Sequence, residues 1–195
     1  MDSLSHVLIV VTIYLSLSFH FSSPPYAAAA DAPSHLVRES CNKTTLTQWN
    51  YTFCVEALES DPRTASASDL LTLANIAIEL AIANATKAQA HLYDMLKNSD
   101  TGSNFKAPLE GCVHWYDMMI ESFGEALDGV RKKNYDIANY CAFIVGDYVD
   151  NCEKELDSNA AHDPSLETNN KNVKEFSLIG YVITDLLDLS PHPRP

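Results

Sequence analysis

The sequence predicts an all-α protein: an up-down-up-down four-helix bundle preceded by a short disulfide-closed N-terminal helical hairpin. Two observations lead to this prediction. In four long segments the apolar residues recur at steps of three and four, which is the spacing of one buried helix face. Short polar breaks join most of these segments, so successive helices are expected to be antiparallel neighbours. No segment shows the alternation of apolar and polar residues that is typical of a strand.

Residues 1–30 have the features of a secretory signal peptide. Val7 to Leu17 is an apolar run of about eleven residues, and Ala27 to Ala30 supplies small residues for cleavage. The run is too short to span a bilayer. Asp2 and the absence of Lys or Arg before the run depart from the usual pattern, and an uncleaved anchor is the alternative. We expect cleavage near the alanines, secretion, and no membrane association afterwards; no later segment is predicted to cross a membrane.

The mature chain is long enough for one domain, expected over residues 31–189, with a Pro-rich tail at 190–195 that we expect to be disordered. It carries all 13 Lys and Arg against 25 of the 26 Asp and Glu, which leaves a net charge of about −12. Because nucleic acids and anionic lipids repel such a surface, neither is expected as a partner. A basic protein partner is compatible with it, and so is an acidity that only maintains solubility.

The mature chain is expected to open with the helical hairpin. A polar connection, Asn42 to Trp49, precedes a short helix over Tyr51 to Leu58. The midpoint between Cys41 and Cys54 lies within this connection, at Thr47-Gln48, so the two cysteines are predicted to form a local bridge. Asp61-Pro62 then ends the hairpin.

The first bundle helix is predicted to run to about Leu96. Ser66 or Ser68 is expected to cap it, with Asp69 favourable in the first turn. The polar residues 98–103 end it. Its apolar stripe consists of Leu70, Leu73, Ala74, Ala77, Leu80, Ala81, Ala88, Leu92 and Met95.

The second and third bundle helices are predicted between Leu109 and Leu156, on either side of the polar break Arg131 to Asn134. Cys112 and Cys152 each lie about twenty residues from the middle of that break, which brings them to the same height in antiparallel helices. They are predicted to form a disulfide across the two helices. The stripes are Leu109, Cys112, Tyr116, Met119, Phe123, Leu127 and Val130, then Ala138, Cys141, Val145, Val149, Cys152 and Leu156.

The fourth bundle helix is predicted to begin only near Val173 and to carry Phe176, Ile179 and Leu186 on its stripe, after a long polar stretch over residues 157–172.

Cys141 is predicted to be a free, buried thiol. It lies about 16 Å along the helix axis from both Cys112 and Cys152, beyond the reach of a disulfide. A small core side chain is the expected role for this residue, rather than a reactive one.

The chain resembles the plant invertase and pectin methylesterase inhibitor family. The resemblance is carried by Cys41 and Cys54 with the segment Asn50 to Val55, by Leu109 to Cys112, and by Cys152 forty residues later. A further likeness, to a pollen-allergen subgroup described as invertase inhibitors, includes Lys133-Asn134-Tyr135. The resemblance implies a secreted, non-enzymatic four-helix bundle that binds an acid invertase or a pectin methylesterase one to one and occludes its active-site cleft.

Candidate partner contacts follow from the same resemblance. Invertase inhibitors of the family carry a Pro-Lys-Phe motif between the second and third bundle helices, and the corresponding positions here are Lys133, Asn134 and Tyr135. Only the aromatic character is retained, although Lys132 or Lys133 could supply the positive charge. A basic C-terminal helix end that complements the helix dipole is the alternative interpretation of these basic residues.

Phe143 is a further candidate contact, which comes from helix geometry. It points away from the stripe of its own helix, so it is either an exposed contact or packed on a neighbouring helix.

Three glycosylation sequons begin at Asn42, Asn50 and Asn84. The first two lie in or beside the N-terminal connection, where a glycan has room, and are expected to be used. Asn84 falls on the apolar face of the first bundle helix, so we expect it to be buried and unmodified.

The sequence gives little support for a catalytic function. The sequence has no Gly-x-Ser-x-Gly, no phosphate-binding glycine loop and no Cys-x-x-Cys. His91 with Asp94 and His114 with Asp117 could meet as metal ligands, but His114 points about 160° away from its apolar stripe. We expect no catalytic site, no metal and no cofactor.

Two functional hypotheses remain. The first is a secreted inhibitor in the cell wall, or alternatively the vacuole, acting on acid invertase, with pectin methylesterase as the alternative target. The second is a non-inhibitory, pollen-allergen-like secreted protein on the same scaffold.

Overall fold

The computed structural model describes residues 34–43, 49–98, 105–158 and 163–189. All of them belong to one compact unit. The predicted signal peptide and its cleavage site, and the tail at 190–195, lie outside the described residues. So do parts of three predicted connections.

The described residues form six α-helices and one 3₁₀ helix and include no strand, so the predicted all-α class is confirmed. Two short helices come first, a 3₁₀ turn over Pro62–Ser66 follows them, and four long helices complete the chain. The helices are α1 (His35–Cys41), α2 (Tyr51–Glu59), α3 (Leu70–Asn98), α4 (Lys106–Arg131), α5 (Tyr135–Ser158) and α6 (Pro164–Leu189).

The four long helices form the predicted bundle. α4 packs on α5, α5 on α6, and α3 closes the bundle by packing on both α4 and α6. Consequently α3 and α5 lie diagonally opposite each other. The core between the helices is lined by the predicted stripes, including the fully buried Leu73, Leu109, Phe123 and Ile179.

The N-terminal hairpin packs α1 against α2, and both contact α6. A disulfide joins Cys41 to Cys54, as predicted, with their Cα atoms 5.9 Å apart. The indole nitrogen of Trp49 donates to the carbonyl of Cys41 at 2.7 Å. The ring of Phe53 packs edge-on against Phe176 of α6, so this small hairpin is fixed to the bundle by an aromatic contact as well.

The start of α3 differs from the prediction. Asp69, not Ser66 or Ser68, caps the helix, because its carboxylate accepts the backbone N–H of Thr72 at 2.7 Å. Ser66 ends the preceding 3₁₀ turn instead, which begins at the Pro62 that the sequence marked as a break.

The start of α6 also differs. The helix begins at Pro164, nine residues before the predicted Val173. Asp163 caps it, since one carboxylate oxygen accepts the N–H groups of Ser165 and Leu166 at 2.8 and 3.2 Å. Proline is favoured in the first turn, where its missing N–H costs nothing. The polar residues after it are therefore mostly the exposed first turns of a helix.

α3 is long and apolar enough to cross a membrane by length and composition alone, which the sequence analysis did not predict of any segment after the N-terminus. A core helix of a globular bundle passes the same test. Leu73, Ile78, Ala81 and Leu92 of this helix are fully buried against the other helices.

Candidate functional site

The turn between α4 and α5 was predicted as the main contact site. α4 ends in a Schellman arrangement, in which the N–H of Lys133 bonds the carbonyl of Val130 at 3.1 Å and the N–H of Asn134 bonds that of Gly129 at 2.8 Å. This geometry requires a left-handed residue, and Lys133 has φ 59°. The backbone of the turn is therefore fixed, and Lys132, Lys133 and Asn134 are exposed on it.

Two of the basic side chains at this turn are already engaged. Lys132 forms an ion pair with Asp128 one turn earlier, at 2.7 Å. Arg131 reaches across to Glu79 of α3, at 2.9 Å, and Arg63 binds the other oxygen of the same carboxylate at 2.6 Å. Glu79 therefore links the end of α4 to the 3₁₀ turn.

Tyr135 does not belong to the exposed turn, which corrects its assignment as a contact residue. Only 7% of it is accessible, and its ring lies in the core. The reason is its position in α5: it lies three residues before the buried Ala138 and so extends the apolar stripe by one step. The aromatic character shared with the inhibitor motif serves packing in this chain.

The outer face of α5 presents an aromatic patch that the sequence analysis found only in part. Ile137, Tyr140 and Phe143 are 48, 62 and 50% exposed. They are three residues apart, so they spread over about 120° of the helix surface opposite the core. Phe143 satisfies both readings given above, since it is half exposed while its ring lies 5.3 Å from that of Tyr181 on α6.

Carboxylates lie beside this patch on α4. Glu121, Glu125 and Asp128 are exposed, and with Ile137 of α5 they line one shallow groove. The spacing of four and three residues places these carboxylates on one side of α4.

A disulfide crosslinks α4 and α5 toward the ends of the two helices that lie away from their connecting turn. Cys112 and Cys152 are joined, with their Cα atoms 4.6 Å apart. Cys141 is free and 5% exposed, and its sulfur lies 3.4 Å from a carboxylate oxygen of Glu125. Burial and that carboxylate raise the pKa of the Cys141 thiol to about 11, so the reactive thiolate is disfavoured.

The three sequons differ in their surroundings. Asn42 is exposed at the C-cap of α1. Asn50 is half-buried and caps α2, because its side-chain oxygen accepts the N–H of Phe53 at 3.1 Å. Asn84 lies inside α3 and is half-buried rather than fully buried, with its side-chain oxygen enclosed.

The two histidines considered as metal ligands are directed elsewhere. A ring nitrogen of His91 lies 3.1 Å from the amide of Asn169, and Asp117 accepts a hydrogen bond from Gln89 at 2.6 Å. His114 is exposed and packs beside Trp115. In the part of the chain that the structure describes, no group of three or more His, Cys, Asp or Glu side chains is placed to hold a metal ion.

A family model described as plant invertase/pectin methylesterase inhibitor matches residues 35–183. The chain belongs to this family. The match covers the described hairpin and nearly all of the bundle, including both disulfides.

Relatives of this chain include a protein named as a pectinesterase inhibitor and proteins named as fructosidase or invertase inhibitors. A pectinesterase inhibitor from Actinidia deliciosa is 31% identical over 176 residues, which are 90% of this chain and 92% of that protein. A cell wall / vacuolar inhibitor of fructosidase from Arabidopsis thaliana is 26% identical over 71% of this chain and 74% of its own length. A Platanus orientalis protein with the provisional name of an invertase inhibitor is 32% identical over 71% of this chain and 80% of its own length.

Solved structures show the same fold. A crystal structure of a mutant form of a pectin methylesterase inhibitor from Arabidopsis superposes with a TM-score of 0.64 at 23% identity, covering 75% of this chain and 93% of the other. A second Arabidopsis pectin methylesterase inhibitor gives 0.58 at 22% identity, covering 84% of this chain and all of the other.

The sequence did not identify four of these surface residues as candidate contacts: Ile137, Tyr140, Glu121 and Glu125. A rotation of 100° per residue from the stripe of α5 places Ile137 and Tyr140 outside the buried face, and the same count predicted the outward direction of Phe143. Glu121 and Glu125 could be placed beside Ile137 only after the rotation of α4 against α5 was known.

Proposed function

We propose that this chain is a secreted, non-enzymatic inhibitor that binds a carbohydrate-active enzyme of the cell wall or vacuole one to one and occludes its active-site cleft. Acid invertase and pectin methylesterase are the two candidate targets, because relatives of similar identity are named for each kind of enzyme. The observation that carries the proposal is the exposed aromatic patch on α5.

The patch has the properties of a protein-binding anchor. Three of the six large apolar side chains that are exposed in the described residues lie in the short segment 137–143. Aromatic residues on a rigid element supply contact area at little cost in conformational entropy, and such residues dominate the energy of protein interfaces. α5 is rigid because the Cys112–Cys152 bridge ties it to α4 and its inner face is buried.

The turn supports an invertase-type contact less well. If the turn entered an enzyme's active site with Tyr135 foremost, the Tyr135 ring would have to be exposed, but it is buried in the core. The side chain of Lys132 is paired with Asp128. Lys133 and Asn134 remain exposed on a fixed backbone and are the turn's contribution to any interface.

Inhibition assays test the proposal directly. The purified, oxidised protein is mixed at equimolar ratio with a plant acid invertase on sucrose, and with a plant pectin methylesterase on esterified pectin, at about pH 5. Saturating inhibition of one enzyme is the expected result. If neither activity falls, the non-inhibitory hypothesis replaces this one.

Two variants test the surface. Tyr140→Ala and Phe143→Ala are expected to weaken inhibition about tenfold or more, since both truncate anchors of the patch. Tyr93→Ala is the matched control, because Tyr93 is also 50% exposed but lies on the diagonally opposite α3. Equal inhibition by all three variants would show that α5 is not the contact face.

Secretion rests on the predicted signal peptide and is part of the proposal. Expression of the full chain in plant cells, followed by N-terminal sequencing of the protein from the culture medium, is expected to give a mature chain that begins near Asp31. Retention in the membrane fraction with an intact N-terminus would favour the anchor alternative.

A further inference from the structure

Glu79 of α3 lies at the centre of a charge network at one end of the bundle. One oxygen of its carboxylate accepts a hydrogen bond from Arg131 at 2.9 Å, and the other accepts one from Arg63 at 2.6 Å. Arg63 also binds Asp61, at 2.7 Å. The network thus joins the 3₁₀ turn, α3 and the last residue of α4. Because its two carboxylates and two guanidinium groups balance in charge, it supplies a fixed geometry rather than a net electrostatic field.

Arg131 lies at the base of the exposed turn between α4 and α5. It is the last residue of α4, and Lys132, Lys133 and Asn134 follow it before α5 begins. The turn closes through two backbone hydrogen bonds, which run from the N–H groups of Lys133 and Asn134 to carbonyls in the last turn of α4. An ion pair from Arg131 to another helix therefore holds the segment that accepts both bonds.

The turn is strained, so its conformation depends on contacts outside itself. Lys133 has φ 59°, a left-handed conformation that costs energy for most residues with a Cβ. Helix ends also open more readily than the middle of a helix. On the α5 side, the buried Tyr135 fixes the chain. Arg131 supplies the corresponding anchor on the α4 side.

The ion pair of Lys132 does not provide the same anchor. Its partner Asp128 is four residues earlier in the same helix, so the pair moves together with the end of α4. Glu79 belongs to a different helix. Its side chain is 30% exposed, whereas those of Arg63 and Arg131 are 56 and 57% exposed. The carboxylate is therefore partly shielded from water, and Arg63 holds it in the orientation that receives Arg131.

We infer that Glu79 is a positioning residue for the turn between α4 and α5: it anchors Arg131 to α3 and thereby keeps Lys133 and Asn134 in the conformation that the partner enzyme meets. This inference rests on the proposed function, in which these two residues are the turn's contribution to the interface. A turn that is already in its bound conformation raises affinity, because less conformational entropy is lost on binding.

Amide hydrogen exchange measures the anchoring. Glu79→Gln keeps the shape of the side chain and removes its charge. The amides of Lys133 and Asn134 are expected to exchange about fivefold faster in this variant than in the wild type. An amide in the middle of α4, such as that of Phe123, is expected to keep its rate, because the bundle as a whole stays folded.

Further variants identify the ion pair and control for charge. Arg131→Lys keeps one charged contact and is expected to exchange at nearly the wild-type rate, whereas Arg131→Gln exchanges as fast as Glu79→Gln. The double variant Glu79→Gln/Arg131→Gln is expected to be no faster than either single variant, because all three lose the same contact. Glu110→Gln is the matched control: it removes a carboxylate from the ion pair with Lys106, at the other end of α4.

Inhibition constants test the consequence for binding. Against the enzyme that the wild type inhibits, Glu79→Gln is expected to inhibit about fivefold more weakly, and Glu110→Gln as well as the wild type. In the background Lys133→Ala/Asn134→Ala the contact side chains of the turn are already removed, so adding Glu79→Gln is expected to have no further effect. A residue that only stabilises the bundle would weaken inhibition equally in both backgrounds.

The outcomes separate this inference from the proposed function. Faster exchange confined to the turn, together with weaker inhibition that disappears in the Lys133→Ala/Asn134→Ala background, supports the inference. Unchanged exchange at the turn, or exchange that rises equally along α4, overturns it. Faster exchange at the turn with unaltered inhibition also overturns it and leaves the proposed function standing. A wild type that inhibits neither enzyme overturns the proposed function and, with it, the role of Glu79 in binding.

Discussion

The hydroxyl of Tyr116 on α4 donates a hydrogen bond to the side-chain oxygen of Asn170 on α6, at 2.8 Å, in the middle of the core. Both residues are almost completely buried. The amide nitrogen of Asn170 in turn lies 3.6 Å from the sulfur of Cys152. A polar contact between two helices thus lies directly against the disulfide that joins α4 to α5.

Removing one partner of this bond is expected to be costly. In Tyr116→Phe the oxygen of Asn170 stays buried without its donor, which destabilises the fold by about 1–3 kcal/mol. Urea unfolding of the oxidised protein measures the loss. The double variant Tyr116→Phe/Asn170→Leu removes both polar groups, so it is expected to recover part of the stability; a strictly additive loss would contradict this account.

Two glycines of α4 are expected to respond in opposite ways to alanine. A Cβ at Gly129 would lie 3.0 Å from the backbone nitrogen of Ala138 and 3.1 Å from the carbonyl oxygen of Asn134, so Gly129→Ala is expected to cost about 1–3 kcal/mol. A Cβ at Gly124 meets nothing within 4 Å, and Gly124→Ala is expected to stabilise the helix by about 0.5–1 kcal/mol. Thermal melts of the two variants check the difference in sign.

The left-handed conformation of Lys133 predicts that glycine at this position increases the stability of the protein. Because φ 59° strains any residue with a Cβ, Lys133→Gly is expected to stabilise the protein by about 1 kcal/mol. Lys132→Gly is the control: Lys132 has φ −86°, and glycine there loses the ion pair to Asp128 without relieving strain. Equal melting temperatures for the two variants would argue against the Schellman geometry of this turn.

The carboxyl of Glu153 predicts a dependence of stability on pH. Burial raises its pKa above the ordinary 4.5; Lys174 opposes this rise, while Asp150, Asp157 and Glu167 add to it. The folded state therefore binds the proton more tightly than the unfolded state. The stability that protonated Glu153 contributes is fully present below pH 4.5, and it is lost as the pH rises through the pKa of Glu153 in the folded state.

Glu153→Gln removes that titration. Relative to the wild type, the variant is expected to gain stability between about pH 4 and pH 7, measured as urea midpoints at the two pH values. Glu56→Gln, at an exposed position of α2, is the control. A stability difference between Glu153→Gln and the wild type that stays constant with pH would exclude Glu153 as the titrating group.

The Cys112–Cys152 bridge closes a loop of 40 residues. Loop-closure entropy assigns such a loop about 4 kcal/mol of stability, so Cys112→Ala/Cys152→Ala is expected to lose about that amount. Unfolding with and without the substitutions measures it. Peptide mapping under non-reducing conditions accompanies the experiment, because a bridge to Cys141 would overturn the register of α4 and α5.

The register of the two central helices could be predicted because Cys112 and Cys152 lie symmetrically about a short polar break. The start of α6 could not be found from apolar spacing. Between Pro164 and Val173 only Leu166 and Asn170 turn inward, and one apolar residue in nine does not make a stripe. The cap at Asp163 was the available local signal, and it went unused.

The contact surface was harder to predict than the fold. Tyr135 was assigned outward by its likeness to a motif, although the spacing to Ala138 already placed it on the buried stripe. The reverse holds for Glu121 and Glu125: their exposure follows from the stripe of α4, but their position beside Ile137 depends on how two helices are rotated against each other. Side-chain periodicity within one helix does not contain that rotation.

The bridge between Cys112 and Cys152 also bears on how the protein regains its structure after denaturation. An oxidised chain that has lost every helix still holds these two positions together, so the central hairpin does not have to be found by diffusion. Only α3 and α6 then remain to pack on the pair formed by α4 and α5. In the chain α3 directly precedes this pair and α6 directly follows it. Recovery after heat or denaturant should therefore be fast in the oxidised protein and slower once the disulfide has been reduced.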